Sequence, residues 1–396
     1  MRINRKTLFF TAILLLFLSF KSLNSQSAYS SGGIGELRHF INVRATGLGG
    51  SGISLIDEYS MNFVNPSLWS YIKNTTINGS FLYEGITTKV FNNRYNLDKS
   101  QFQGAGVVIT GEKKFAVGVG VTPLSDADYK IKVLEPDTSK VKFLTGNGGV
   151  SKIFLGFALS PRKFFSFGFS LNYILGKFEE IWRVNFKEKE YTYFHSVVQN
   201  YINGVDFTVG AVFLIKDILN FGITYNSVMR LNSKLSLTTP YIKEKEEPEA
   251  EIRVPNSFGL GASIYLSKRV LLTGDFFRRN FKNLRYNNRR VNEFKNSNRI
   301  SFGLEFTPQE QKKSSYRFGI YQFDSYLSSS YVRDVRERGI TLGYGFIFSG
   351  GMARLDMASE FSIRSSHSDV LSSEKIFRFL LSISGGEEWF ITVSYT

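Results

Sequence analysis

Cysteine is absent from all 396 residues, so there is no disulfide framework and no thiolate nucleophile. Histidine is scarce. His39, His195 and His367 share no metal-ligand spacing, and neither a nucleophile elbow nor a spaced pair of carboxylates accompanies them. The residues therefore predict a non-enzyme with no cofactor and no metal. Proline is sparse, at 8 residues against 35 glycines, which suits a sheet protein with tight turns. Beyond residue 20 no apolar run approaches the roughly 20 residues of a spanning helix, and the mean hydropathy is −0.11, which together exclude a helical membrane protein.

The one apolar run is N-terminal. Arg2, Arg5 and Lys6 precede Leu8 to Phe20, and Lys21 with a polar stretch closes it. It is too short to span a bilayer and has the layout of a cleaved export signal, with cleavage near Ser25 and residues 1–25 removed. No cysteine follows, so a lipoprotein is excluded. Of the formal net charge of +15, Arg2, Arg5, Lys6 and Lys21 carry four units, leaving +11 on the mature chain. These charges are scattered through turns, as at Glu112 to Lys114 and Arg162 to Lys163, and form no nucleic-acid module. They suit two aqueous rims and an anionic lipid surface.

What the chain does have is aromatic residues, 38 Phe and 20 Tyr, arranged with period two. In FFSFGFSLNY, Phe165, Phe167, Phe169, Leu171 and Tyr173 share one face of a strand, and Ser166, Gly168, Ser170 and Asn172 the other. Phe115, Val117, Val119 and Val121 alternate likewise with Ala116, Gly118 and Gly120; so do Ile340, Leu342, Tyr344, Phe346 and Phe348 with Thr341, Gly343 and Gly345. One face is bulky and apolar, the other small. A sandwich would need a partner sheet for the first, whereas a transmembrane barrel needs only lipid. The pattern predicts an all-β fold, an antiparallel barrel of about 14 strands, near residues 75–88, 101–111, 114–131, 147–160, 164–181, 201–215, 219–236, 254–267, 270–282, 298–308, 315–327, 337–349, 352–364 and 374–384. The barrel spans 74–385. Short connections alternating with long ones are expected at opposite rims, and residues 386–396 are read as a periplasmic tail because an odd strand would break parity.

Residues 26–73 do not alternate and are read as a hatch inside the lumen. They hold RATGLGGSGISL, then DEYSMNFVNPSLWS. Gly47, Gly49 and Gly52 form G-x-G-x-x-G, but no βαβ unit surrounds it and nucleotide binding is not supported. Arg44, Ala45, Gly47, Gly49, Gly50, Gly52, Asp57, Glu58, Asn65, Pro66 and Leu68, with VGVGVTPLSDADYKIK from Val117 and VPNSFGLGASIYLSKRVLLTGDF from Val254, resemble the FadL/TodX-type outer-membrane transporters and the related PorV-like barrels. Thr46 and Ser67 depart from that pattern by small residues. The resemblance implies a Gram-negative outer-membrane barrel that passes hydrophobic small molecules of fatty-acid or hydrocarbon type. Its alternative is a barrel serving proteins of a secretion apparatus.

Three sets of site residues follow. Trp182, Phe186, Tyr191, Tyr193, Phe194 and Tyr201 offer aromatic surface for an apolar ligand. Gly47, Gly49, Gly50, Gly52, Asn65, Pro66 and Pro123 form a hatch and gate, Pro123 lacking the N–H that a ladder needs and marking either a lateral exit or the end of a strand. Asp206, Asp275, Glu305, Arg317, Arg354, Asp356, Glu360, Arg364 and Arg378 fall on the lumen parity, either pairing to hold the hatch or lining a polar passage.

Overall fold

The computed structural model describes residues 27–387 except 32, 91–92, 112–113, 135–139, 187–193, 217, 242–244, 247, 292–293, 309–312, 328–332 and 368–370. The expected export signal and residues 388–396 of the tail lie outside the described residues. Fourteen antiparallel strands close into a barrel. They are β1 (Thr75–Val90), β2 (Asn93–Thr110), β3 (Phe115–Asp126), β4 (Lys140–Arg162), β5 (Phe165–Phe186), β6 (Phe194–Ile215), β7 (Leu219–Asn226), β8 (Ser257–Tyr265), β9 (Val270–Arg279), β10 (Ser297–Phe306), β11 (Ser314–Asp324), β12 (Arg333–Phe348), β13 (Ala353–His367) and β14 (Leu371–Glu387). β14 pairs with β1 from Thr75↔Glu387 to Val90↔Leu371, which closes the sheet on itself.

Alternation places the side chains as expected. Leu171 and Tyr173 stand exposed on the outside while Ser166, Ser170 and Asn172 are buried, and Ile340 and Leu342 flank a fully buried Thr341. The expected strand limits need three corrections. β2 begins at Asn93, soon after β1 ends at Val90, where a twelve-residue loop was expected. The segment 219–236 breaks into β7, which pairs with β8, and Met229–Thr238, which pairs with the far end of β6 and with Ala250–Val254. The segment 114–131 likewise breaks after Asp126, Tyr129–Leu134 pairing only with β4. The first follows from the loss of lipid: beyond the apolar band both faces of a strand meet water or the polar lumen, so the ladder continues without the hydrophobic alternation that reveals it. In the other two the alternation runs on past the break, as with buried Met229 and Leu231 beside exposed Arg230 and Asn232, so the pattern does not mark where the strand changes partner. Two connections at the longer-loop rim, after Val90 and after His367, are short as well.

Residues 27–73 lie within the ring and touch it on every side. Going round, Met61 N–H donates to Asn78 of β1 (2.8 Å), Ser166 of β5 to the Ser67 carbonyl (2.8 Å) and Thr224 of β7 to the Val64 carbonyl (2.9 Å). Ser54 bonds Ser263 of β8 (2.7 Å), Ser51 bonds Ser301 of β10 (2.9 Å), and Ser60 bonds Ser384 of β14 (3.0 Å). Small inward wall residues allow this approach. A Cβ on Gly343 would stand 2.9 Å from the Gly47 Cα, and one on Gly319 would fall on the Gly49 amide. Trp69, Phe63, Phe40, Met61 and Val43 of the hatch then form one apolar cluster with Leu82, Val108, Phe154 and Leu380 of the wall.

Candidate functional site: the hatch and a break in the wall

The hatch backbone is shaped by short local signals. Asn42 caps the single turn Val43–Thr46 by accepting from Ala45 N–H at 2.8 Å. Gly49 and Gly50 follow with φ of 74° and 87°, a conformation that favours glycine. Thr341 of β12 donates to the Gly47 carbonyl (3.0 Å) and accepts from Gly49 N–H (2.9 Å), while Asp275 of β9 accepts from Gly52 and Ile53 N–H (2.6 and 2.9 Å). Asn65 accepts from Ser67 N–H (3.1 Å) and donates to the Ile53 carbonyl (2.7 Å), with Pro66 opening the turn that leads to β1.

Buried charge fixes this segment. Arg44 of the hatch forks onto Glu305 (2.9 and 2.6 Å), which also takes Arg317 (2.6 Å); Arg317 reaches Asp356 (2.7 Å), Asp356 takes Arg354 (2.6 Å), and Arg354 forks onto Asp57 of the hatch (2.9 and 2.6 Å). Three guanidinium groups thus meet three carboxylates in a neutral chain. Burial pushes the Asp57 carboxyl up, but Arg354 and Arg44 outweigh it and hold it well below the usual carboxylate range. A second cluster lies nearer the long loops. There Arg38 of the hatch forks onto Glu84 (3.0 Å twice) and reaches Asp126 (3.1 Å), and Arg378 joins Glu84, Glu337 and Glu360. Arg364 binds Glu337, Glu374 and Glu36 of the hatch. Lys99 pairs with Asp126 and Asp128.

The structure therefore brings seven of the nine lumen charges named from parity into two ion-pair lattices that include the hatch; Asp275 binds hatch amides, and Asp206 accepts from Asn172 (2.6 Å). Parity reasoning missed Glu36, Arg38, Glu84, Lys99, Asp126, Glu337 and Glu374. Glu84 could have been found, since it shares the inward face of Leu82 and Ile86.

The wall is interrupted at one place beside Pro123. The β2–β3 ladder runs from Thr110↔Ala116 only to Ala105↔Val121, although β2 continues to Asn93 and β3 to Asp126. Pro123 does not end its strand. It sits at a bulge in the β3–β4 ladder, where Leu124 is skipped, and the strand beyond it turns to the hatch. Asp126 and Ser125 pair there with Glu36 and Leu37, and Arg38 N–H reaches the Leu124 carbonyl at 2.9 Å. Along the parted strands Gln101 Nε2, Gln103 Oε1 and Ser125 Oγ are buried without a hydrogen-bond partner among the described residues. On the β3 side of the break, between hatch and wall, a cavity of about 70 Å³ touches Pro123, Phe40, Phe63, Phe277, Lys152 and Arg299. His39 borders it, and burial together with Arg299 and Arg279 pushes its imidazole down to about 3.

Of the aromatic candidates, Trp182 and Tyr201 lie on opposite faces of the wall. Trp182 falls on the inward parity of β5, level with Ser196, while Tyr201 of β6 faces outward with the Lys177 ammonium 5.4 Å from its ring centre. Phe186 and Phe194 terminate β5 and β6, and Tyr191 and Tyr193 lie outside the described residues.

The sequence profile of the family described as BamG matches residues 3–396. The chain belongs to the BamG family. Among solved structures this BamG-family barrel is similar to the monoaromatic hydrocarbon channel CymD, at 15% identity over 92% of this chain and 100% of that one, with a TM-score of 0.58. It is also similar to a FadL homologue of Pseudomonas aeruginosa (12% identity, 92% and 100% covered, TM-score 0.59) and to the toluene transporter TodX of Pseudomonas putida (14%, 86% and 96%, TM-score 0.58). These likenesses establish the FadL/TodX-type fold expected from the sequence. No curated protein matches.

Proposed function

We propose that this is an outer-membrane barrel, exported by a cleaved signal, that admits hydrophobic small molecules from the long-loop side and releases them sideways through the break between β2 and β3. The observation that carries the reading is the parted ladder above Ala105↔Val121, with its orphaned Gln101 Nε2 and Gln103 Oε1 and an aromatic-lined cavity beside Pro123. An axial route is disfavoured, because the hatch fills the lumen and is tied down by bidentate arginines. The lateral route needs local movement of β3 and of the hatch strand paired to it, with parting of the Lys99 pairs to Asp126 and Asp128 that cross the break. Likeness to hydrocarbon channels supports the substrate class. Toluene uptake by vesicles holding the purified protein tests it: faster uptake than in empty vesicles is expected, and equal rates would overturn it.

A second reading, a barrel that serves as a partner for secretion proteins, is favoured by the tightly held hatch, beside which three cavities measure only about 60 to 200 Å³. It predicts no uptake together with stable co-purification of a secretion-apparatus protein.

A further inference from the structure

The outer wall carries a groove of about 930 Å³ across β10 to β14 and β1. The ladders align its floor in one row: Ile320 of β11, Ile340 of β12, Phe361 of β13, Phe377 of β14 and Gly85 of β1. Gly85 makes the dent, since a Cβ there would meet only the Tyr83 side chain, its hydroxyl at 3.8 Å. The next outward row towards the long loops is Gln322, Arg338, Ile363, Lys375 and Thr87. This is where the outer face turns from apolar to polar, the depth of the headgroups.

Two cations in that row are not neutralised. Arg338 donates to Gln322 at 2.9 Å, an uncharged partner, and Lys375 is exposed with no ion pair among the described residues. One row further out Arg336 is paired with Asp324, and the outward-facing Asp98 stands opposite Gly85 without an ion pair to Lys375. Arg338 and Lys375 sit two strands apart on either side of Ile363, roughly 10 Å between backbones, a span their side chains close round a single phosphate.

We propose that this groove binds one phosphate-bearing lipid of the long-loop leaflet, an acyl chain lying in the dent at Gly85 and the phosphate held by Arg338 and Lys375. A soluble anion would have no use for the apolar floor. A partner strand could not extend the sheet here, because every strand from β11 to β1 is already paired on both sides.

Native mass spectrometry of the full mature barrel in neutral detergent, titrated with dioleoyl phosphatidylglycerol or dioleoyl phosphatidylcholine, tests the site. Wild type should retain phosphatidylglycerol preferentially. Arg338→Gln and Lys375→Gln should each weaken that retention about fivefold, the equivalent of about 1 kcal/mol per cation, and leave phosphatidylcholine unchanged. Gly85→Leu, which fills open space, should weaken both lipids, and Arg336→Gln should weaken neither. Heat-modifiable migration confirms folding; if the Arg338 variant misfolds, the exposed Lys375→Gln carries the comparison alone. Equal retention of the two lipids, unchanged retention in the Lys375 variant, or displacement of the lipid by inorganic phosphate would overturn the proposal. So would a co-purifying protein released by Gly85→Leu.

Discussion

Replacing Arg354 by methionine removes the residue on which the hatch and the wall most depend for charge balance. Its guanidinium donates twice to Asp57 (2.9 and 2.6 Å), once to Asp356 (2.6 Å) and once to Ser60 (2.7 Å), all buried. Methionine keeps much of the volume but leaves two carboxylates facing each other. Losing one partner of a buried ion pair costs about 3 to 5 kcal/mol. Each carboxylate keeps another arginine here, Arg44 at 3.5 Å from Asp57 and Arg317 at 2.7 Å from Asp356, so the expected loss is at the lower end, about 3 kcal/mol. The urea midpoint of the barrel in lipid vesicles should fall accordingly, and protease should cut the hatch sooner. Adding Asp57→Asn should restore part of the loss, because the surplus charge is removed, giving a coupling above about 1 kcal/mol. Glu58→Gln is the control. Its pair with Lys73 is in the same hatch at 3.6 Å, but both side chains are more than half exposed and the change should stay within about 0.5 kcal/mol. If Arg354→Met shifts the midpoint no more than Glu58→Gln, the lattice does not hold the hatch.

Other perturbations read separate parts of the structure. Phe167→Arg places a charge on the lipid face and should cost about 2 to 4 kcal/mol in bilayers, measured by the same urea titration. Gly343→Leu forces a side chain against Gly47 and should lower stability by about 1 to 3 kcal/mol while speeding hatch proteolysis. His39 binds its proton only near pH 3 when folded against 6.5 when unfolded, so the unfolded chain takes up more protons between those values. Stability should therefore fall as pH drops from about 6.5 towards about 3, and His39→Gln should flatten that share of the profile. The native chain has no cysteine, so a Ser51→Cys, Ser301→Cys pair, whose hydroxyls now lie 2.9 Å apart, should oxidise in intact membranes and show as a gel shift.

The barrel was legible in the sequence because lipid imposes a simple rule. Phe165 to Tyr173 or Ile340 to Phe348 must alternate when one face meets hydrocarbon and the other a hatch with no room for bulk. Where water replaces lipid the rule lapses, and so Asn93 to Ser100 was hidden although its ladder with β1 is continuous. The lumen charges on late strands were found by parity. Their partners Glu36, Arg38 and Asp57 were not, since the hatch has no period and a residue's partner across some 300 positions leaves no local trace. Pro123 was visible as a residue that a ladder cannot use. That its strand would turn inward to pair with Glu36 and Leu37 depends on the hatch being there to receive it. Trp182 and Tyr201 part company for a plain reason: they sit on opposite parities of paired strands, and Tyr201 takes the outward one.

The lateral route is tested most directly by closing the break. Cysteines at Gln103 and Thr122, neighbours across the strands through the 3.3 Å contact of the Thr122 hydroxyl with the Gln103 carbonyl, would tie β2 to β3 just past the last ladder pair. Toluene uptake should be near wild type in the reduced double variant, fall to the level of empty vesicles on oxidation, and return with reductant. Undiminished uptake through the oxidised barrel would contradict the account.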